Sequence, residues 1–194
     1  MTQFTTQYTK WLATRLVTAK LLRGCSPVTF ANSQPKIDPT ALFKLSYGLY
    51  VITVGDEKDN GYISNTVFQV SENPTRIAVS CQKNNLSREI IEKTGILNVS
   101  VLTEDVPFEV IRHFGMQSGR DVDKFADFKE TQRASNGVLY LSDFANAFIS
   151  LKVISSLDLD SHILFICDIT ESKVLGSNDS CTYAHYHKSV KPKF

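Results

Sequence analysis

The sequence predicts a mostly β domain with short helices, its strands arranged as an antiparallel barrel. Three observations carry that expectation. Runs of β-branched and aromatic residues of strand length recur along most of the chain, turn residues punctuate them at short intervals, and only two long stretches combine helical spacing with helix end signals. Sequential strands joined by short turns favour an antiparallel barrel over a parallel sheet that alternates with helices.

The folded part starts near Pro39, with residues 40–45 as a short helical lead-in before Tyr47-Gly48. Residues 49–54 are β-branched and aromatic, and the polar loop 55–61 closes a hairpin onto residues 62–70. In that second strand Tyr62, Ser64, Thr66, Phe68 and Val70 alternate with Ile63, Asn65, Val67 and Gln69, so small polar groups reach both faces at its middle. A strand that serves packing alone rarely does that. Asn73-Pro74 turns the chain, residues 76–81 read as a buried strand, and Asn84 or Asn85 caps a helix over 86–93. Residues 98–102 are a further strand, and Pro107 opens a second helix that ends at Gly115. Residues 116–128 make a polar loop too long and too charged for a simple connector, with a functional and a purely structural role both open. From Tyr140 onward, residues 147–157 and 162–174 form a large hairpin about the turn 158–161. The total is about six or seven strands with two principal helices.

Composition narrows the class of partner. The 194 residues suit one domain plus an extension, and 42% hydrophobic with 21% charged residues is ordinary for a globular chain. A formal net charge of +1 and the lack of a basic stripe argue against nucleic acid or an anionic membrane as partner, and no run reaches the ~20 apolar residues of a membrane helix. Cys25, Cys81, Cys167 and Cys181 are widely spaced without a CxxC, which reads as reduced thiols of a soluble intracellular, cytoplasmic protein and gives no local metal site. Residues 1–37 differ from the rest. They hold five basic residues (Lys10, Arg15, Lys20, Arg23, Lys36), no acidic one and a short amphipathic stretch from Trp11 to Arg23. A transit peptide for a mitochondrion-type organelle and a tail without a role are both compatible with that.

Motifs for dinucleotide, P-loop or hydrolase chemistry (GxGxxG, GxxxxGK[ST], GxSxG) are absent. His185 and His187 share a strand-type spacing but lack a third ligand, so no metal site is expected. His162 follows a turn at the start of a strand, a place at the barrel rim that also suits a solvated histidine. The strongest site is Ser80-Cys81-Gln82-Lys83-Asn84-Asn85-Leu86-Ser87-Arg88, where a strand end meets a helix N-terminus beside two cations and hydroxyls. Free N–H groups, the helix dipole and charged donors suit a phosphate there, and a capped helix with solvated basic residues is the alternative.

The ordered set Leu45-Ser46-Tyr47-Gly48-Leu49-Tyr50-Val51-Ile52-Thr53, Asn60-Gly61, Asn65-Thr66-Val67, Gln69-Val70, Pro74, Phe114-Gly115 and Ser118-Gly119-Arg120-Asp121-Val122-Asp123-Lys124-Phe125 resembles the flavin reductase-like, FMN-binding split-barrel family. The resemblance extends to flavoredoxins and to the flavin reductase module fused to rubredoxin in high-molecular-weight rubredoxins. It spans about residues 38 to 194, which sets the domain boundary at 38.

The resemblance implies a homodimeric split β-barrel of antiparallel Greek-key type. Such a barrel binds FMN, takes hydride from NADH or NADPH and passes electrons to free flavin, ferric iron or a redox protein such as rubredoxin. It implies that Asn65, Thr66 and Val67 lie along the flavin ring and ribityl chain, and that Ser80, Cys81, Gln82, Lys83, Ser87 and Arg88 hold ribityl and phosphate. Phe114 and Gly115 would approach the ring, and His162 the nicotinamide side. Two positions depart from the pattern: many relatives have His at Arg88 and Gly at Cys167. The chain ends at Lys191-Pro192-Lys193-Phe194, about where a fused relative starts its rubredoxin domain, so rubredoxin is expected as a separate partner. Two rival readings are a tightly FMN-loaded electron carrier without efficient NAD(P)H turnover and a haem binder with His162, His185 or His187 as axial ligand.

Overall fold

The structure, a computed structural model, describes residues 37–193. Ile37 apart, the reading of residues 1–37 as an extension or transit segment lies outside them. After a 3₁₀ turn, Pro39–Lys44, the chain forms β1 (Tyr50–Gly55), β2 (Asp59–Ser64), β3 (Val67–Glu72) and β4 (Thr75–Gln82). Helix α1 (Leu86–Thr94) and β5 (Ile96–Leu102) follow, then α2 (Phe108–Gly115), the short pair β6 (Thr131–Arg133) and β7 (Leu139–Leu141), and the long β8 (Ala145–Leu159) and β9 (His162–Val174). Seven strands join in one antiparallel sheet in the order β2-β1-β5-β8-β9-β4-β3.

Alternation along the strands builds two cores. Ile52 and Val54 of β1, Val79 and Cys81 of β4, Val99 of β5, Leu151 of β8 and Phe165 of β9 point to one side and meet there with Ile91 of α1. Contributions from so many strands of one sheet to one cluster mean that the sheet curls into a barrel, with α1 packed against its interior. Val51, on the other face of β1, joins a second cluster outside the barrel with Val110, Ile111 and Phe114 of α2 and with Cys181 and Tyr186 of the C-terminal segment. β1 is therefore covered on both faces, which explains its unbroken run of buried residues from Val51 to Val54. Asn85 caps α1 by accepting a hydrogen bond from Ser87 N at 2.9 Å, and Gly95 ends it at φ 69°, a left-handed position that glycine adopts without strain.

The two ends of the strand order, β2 and β3–β4, meet along a seam that no ladder closes. Residues 62–70, read from sequence as one strand, are two. β2 stops at Ser64, and the chain crosses the seam through Asn65-Thr66, where Thr66 N donates to Ser64 Oγ at 3.1 Å and Thr66 Oγ1 to Asn65 Oδ1 at 3.0 Å. Local side-chain bonds of this kind compete with a ladder and turn the chain. Tyr62 Oη donates across the seam to the Ser80 carbonyl at 3.2 Å, and Ser80 N donates to the Thr66 carbonyl at 3.1 Å.

Two further elements differ from the sequence reading. The β6–β7 hairpin was not expected, and it covers β1 and β5, where the Thr53 hydroxyl and the Asn98 amide donate to its Leu139 carbonyl. Residues 183–190 are helical rather than extended, so the i, i+2 spacing separates His185 and His187. His185 stands 3.3 Å from Glu104, and His187 lies edge-on to Tyr183 and Tyr186.

The seam bond is testable. Tyr62→Phe removes a single hydrogen bond from a buried ring without changing its volume, and should lower the free energy of unfolding by about 1 kcal/mol in urea titrations with an unchanged m-value.

Candidate functional site

A cavity of about 650 Å³ opens along the seam, a size within the range of small-molecule sites. One wall is the chain crossing from β2 to β3, with Tyr62, Ser64, Asn65 and Thr66. The opposite wall is the end of β4 and the entry to α1, with Ser80, Gln82, Asn84, Asn85 and Leu86. Phe114 and Gly115 at the end of α2, residues 116–119 of the following loop, Lys124, His162 and Tyr183 complete it.

Of the residues singled out from sequence, Asn65, Thr66, Ser80, Gln82, Phe114, Gly115 and His162 line this cavity together. Gln82 and His162 are paired across β4 and β9, and Ser161 Oγ lies 2.9 Å from His162 Nδ1.

Val67, Cys81, Lys83, Ser87 and Arg88 do not line it, the first two and Ser87 through burial and the two cations through partners elsewhere. Val67 packs against the interior cluster. Cys81 alternates with Ser80 and Gln82 and is 1% exposed in the barrel core beside Tyr62; burial pushes its thiol up to about 11 and that of Cys167 up to about 12, so both stay protonated at neutral pH. Ser87 is fully buried, its Oγ accepting from Asn60 Nδ2 at 3.0 Å, which pins α1 to β2. Lys83 pairs with Asp158 at 2.6 Å. Arg88 turns back along its own helix, Nε donating to the Lys83 carbonyl at 2.9 Å and Nη1 to Glu92 at 2.7 Å.

Several lining residues were not identified as candidates from sequence. Lys124 is the foremost. It is 4% exposed, and its Nζ donates to the Gly61 carbonyl at 2.7 Å and the Phe114 carbonyl at 2.9 Å. Among the described residues no carboxylate pairs with it, and burial pushes its ammonium down to about 8. Its own carbonyl accepts from His113 Nε2 at 2.6 Å while His113 Nδ1 accepts from Gln117 at 3.3 Å, two contacts that fix the imidazole as the Nε2–H tautomer. Phe125 and Phe128 close on the Phe114 ring, with centroids 5.4 and 5.0 Å away. Gly119 lies so close to Asn60 that a Cβ there would stand 2.6 Å from Asn60 Cγ. The 116–128 loop is thus a built wall, and its density of charge and aromatic residues is the signal that marks it in the sequence. Tyr183 reaches the cavity because Tyr183 N donates to the Tyr47 carbonyl and Leu49 N to the Cys181 carbonyl.

Among the described residues no Asp or Glu lines the cavity, while amide and hydroxyl groups, the N-terminus of α1 and one ammonium do. Leu49, Ile63, Phe114 and Met116 supply apolar surface. The same residues contain no group of three or more His, Cys, Asp or Glu able to hold a metal ion, and no helix is long and apolar enough to cross a membrane. The split antiparallel barrel and this seam site together define a domain with a small-molecule cavity whose wall combines polar groups with apolar surface.

Comparison with known proteins agrees. The pattern of the flavin reductase like domain matches residues 42–192, and the chain belongs to that family. It is 40% identical over 154 residues to the high molecular weight rubredoxin of Moorella thermoacetica, covering 78% of this chain and 66% of that protein. It is 35% identical over 158 residues to the ferric-chelate reductase (NAD(P)H) of Archaeoglobus fulgidus, covering 81% of this chain and 93% of that one. Among solved structures, the flavin reductase PheA2 matches with TM-score 0.63 and 26% identity over 74% of this chain and 92% of its own. The NADH:FAD oxidoreductase SgcE6 of Streptomyces globisporus shares the fold, with TM-score 0.70 at 17% identity over 80% and 95%.

Proposed function

We propose that this chain is an FMN-dependent NAD(P)H oxidoreductase of the flavin reductase type that passes electrons to free flavin, ferric iron or a separate redox protein such as rubredoxin. The observation that carries the reading is the seam cavity, free of carboxylates among the described residues and rimmed by neutral polar groups beside a helix N-terminus. A flavin mononucleotide has this complement of parts: a dianionic phosphate, a hydroxylated chain and a flat ring. The bound flavin supplies hydride and electron transfer, so the protein has to bind and orient the reactants and needs no acid or base of its own.

The placement of residues assigns their tasks. The phosphate belongs at the entry to α1, where Leu86, the first residue of the helix, lines the cavity and Gln82, Asn84 and Asn85 supply polar groups. Lys83, Ser87 and Arg88, occupied elsewhere, support that entry from behind: Ser87 holds α1 to Asn60, and Arg88 holds the Lys83 carbonyl. Asn65 and Thr66, at the crossing, border the ring and the ribityl chain. Phe114 and Met116 cover apolar surface, and His162 edges the side from which a nicotinamide approaches.

The outer face of the sheet bears on assembly. Ser80, Gln82 and His162 point outward on the same face as Phe68, Leu157 and Leu159, which are 48%, 55% and 46% exposed. Apolar side chains left open next to a ligand site are the mark of a covered surface. A homodimer through this face would wall the cavity and bury those side chains.

Three measurements test the reading. Purified protein supplied with FMN should show flavin absorbance between 300 and 600 nm that bleaches on anaerobic addition of NADH or NADPH; flavin bands that persist with both would leave a carrier charged only by protein partners, and a Soret band would sink the flavin assignment. Replacing Gln82 and Asn84 together by Ala should weaken FMN binding about tenfold or more, as expected for losing contacts to a charged group, and Lys83→Ala by less than threefold. The opposite order would return the phosphate to Lys83. Sedimentation should give a dimer that Leu157→Glu converts to monomer, and a monomeric parent protein would rule out the dimer.

A further inference from the structure

Lys124 is a charge that the fold retains at a cost. An ammonium almost fully removed from water is unfavourable unless paired, and here two backbone carbonyls, Gly61 and Phe114, take two of its three N–H groups while among the described residues no carboxylate approaches. The third N–H has no acceptor among the described residues, although the side chain forms part of the cavity wall. Apolar packing would close the loop onto β2 and α2 without that penalty, as the rings of Phe114, Phe125 and Phe128 already do nearby.

The other ionisable groups on the wall leave this charge without competition. Tyr62 and Tyr183 are phenols, with burial raising the Tyr62 phenol well above its usual range, and His162 belongs to another element, β9, beside Ser161. The neighbouring carboxylate of Asp123 is turned away, accepting from Phe125 N at 3.0 Å and facing Lys58 at 3.5 Å. Lys124 is therefore the single positive side chain on the wall among the described residues.

We propose that Lys124 is the counter-charge of the reduced flavin: held by Gly61 and Phe114, its ammonium favours the electron-rich, anionic form of the bound ring over the oxidised form. The inference rests on the flavin reading of the seam cavity. Two-electron reduction places negative charge on the ring, and a positive charge in a poorly solvated wall discriminates between the two states more strongly than it would in water. An anion beside Lys124 also relieves the burial that depresses its ammonium, so reduced flavin and charged lysine stabilise each other.

The alternative is a clamp that only fastens the loop. The two differ in how they treat the oxidation states. Dissociation constants for oxidised and for photoreduced FMN are measured anaerobically on the wild-type chain, on Lys124→Met and on Lys124→Arg. The wild type is expected to bind the reduced form at least tenfold more tightly, about 30 mV on a two-electron couple. Lys124→Met should lose most of that ratio, and Lys124→Arg should keep it. Equal affinity of the wild type for both states overturns the assignment without need of any variant. A ratio within threefold of wild type in Lys124→Met reduces Lys124 to a clamp. Failure of the wild type to bind either state removes the flavin reading, and the assignment with it.

Discussion

The structure depends on a seam that has to hold together without a ladder. Everywhere else the curled sheet is closed by antiparallel pairing, but between β2 and β4 the backbone groups are left to side chains and to whatever occupies the gap. Two contacts span it: Tyr62 to the Ser80 carbonyl, and Asn60 of β2 to Ser87 of α1. A buried polar group must find a partner, and at a seam the partners come from side chains or a ligand instead of a neighbouring strand. The binding site is thus the direct consequence of an unclosed barrel, and the residues that keep the gap from collapsing are also those that shape its walls.

Charge is distributed so that this gap stays free of negative groups. Glu89 and Glu92 on α1 are engaged by Arg88 and Arg120, and Asp158 at the β8–β9 turn is engaged by Lys83. Each of these pairs is partly exposed and contributes little to stability. Their effect is on the field: carboxylates near the α1 entry are neutralised in place, and the helix N-terminus keeps its positive character toward the cavity. Lys83 and Arg88 thus act on the cavity at one remove, by neutralising the acids beside it.

How much of this is legible in the sequence follows from which rule governs each residue. Strand alternation and capping rules locate β1, β4, α1 and the β8–β9 hairpin to within a few residues. Alternation also separates Ser80 and Gln82 from Cys81, so the inward turn of Cys81 could have been read from its neighbours Val79 and Ile77. The polar middle of residues 62–70 marks a special strand, yet whether it bulges or breaks depends on the barrel seam, a long-range feature that residues 65 and 66 do not encode alone. The ion pairs of Lys83 and Arg88 involve rotamer choices set by Asp158, 75 residues away, and by Glu92 one helical turn on. Lys124 was visible as a residue within a charged loop, but its burial is decided by carbonyls of Gly61 and Phe114, which no local pattern reveals.

The loop that carries Lys124 shows where its order comes from. Its exposed ion pair, Arg120 with Glu89 at 2.6 Å, has both partners nearly half exposed and contributes little. That is too little to hold more than ten residues, each of which loses roughly 1–2 kcal/mol of backbone entropy when fixed. The larger contributions lie beneath the surface: the stack of His113 on Phe128, the rings about Phe114, and the His113 bond to the Lys124 carbonyl. These contacts all originate on α2. The helix whose last turn supplies Phe114 and Gly115 to the cavity therefore also anchors the loop that closes it, so the position of the wall follows the position of one helix end.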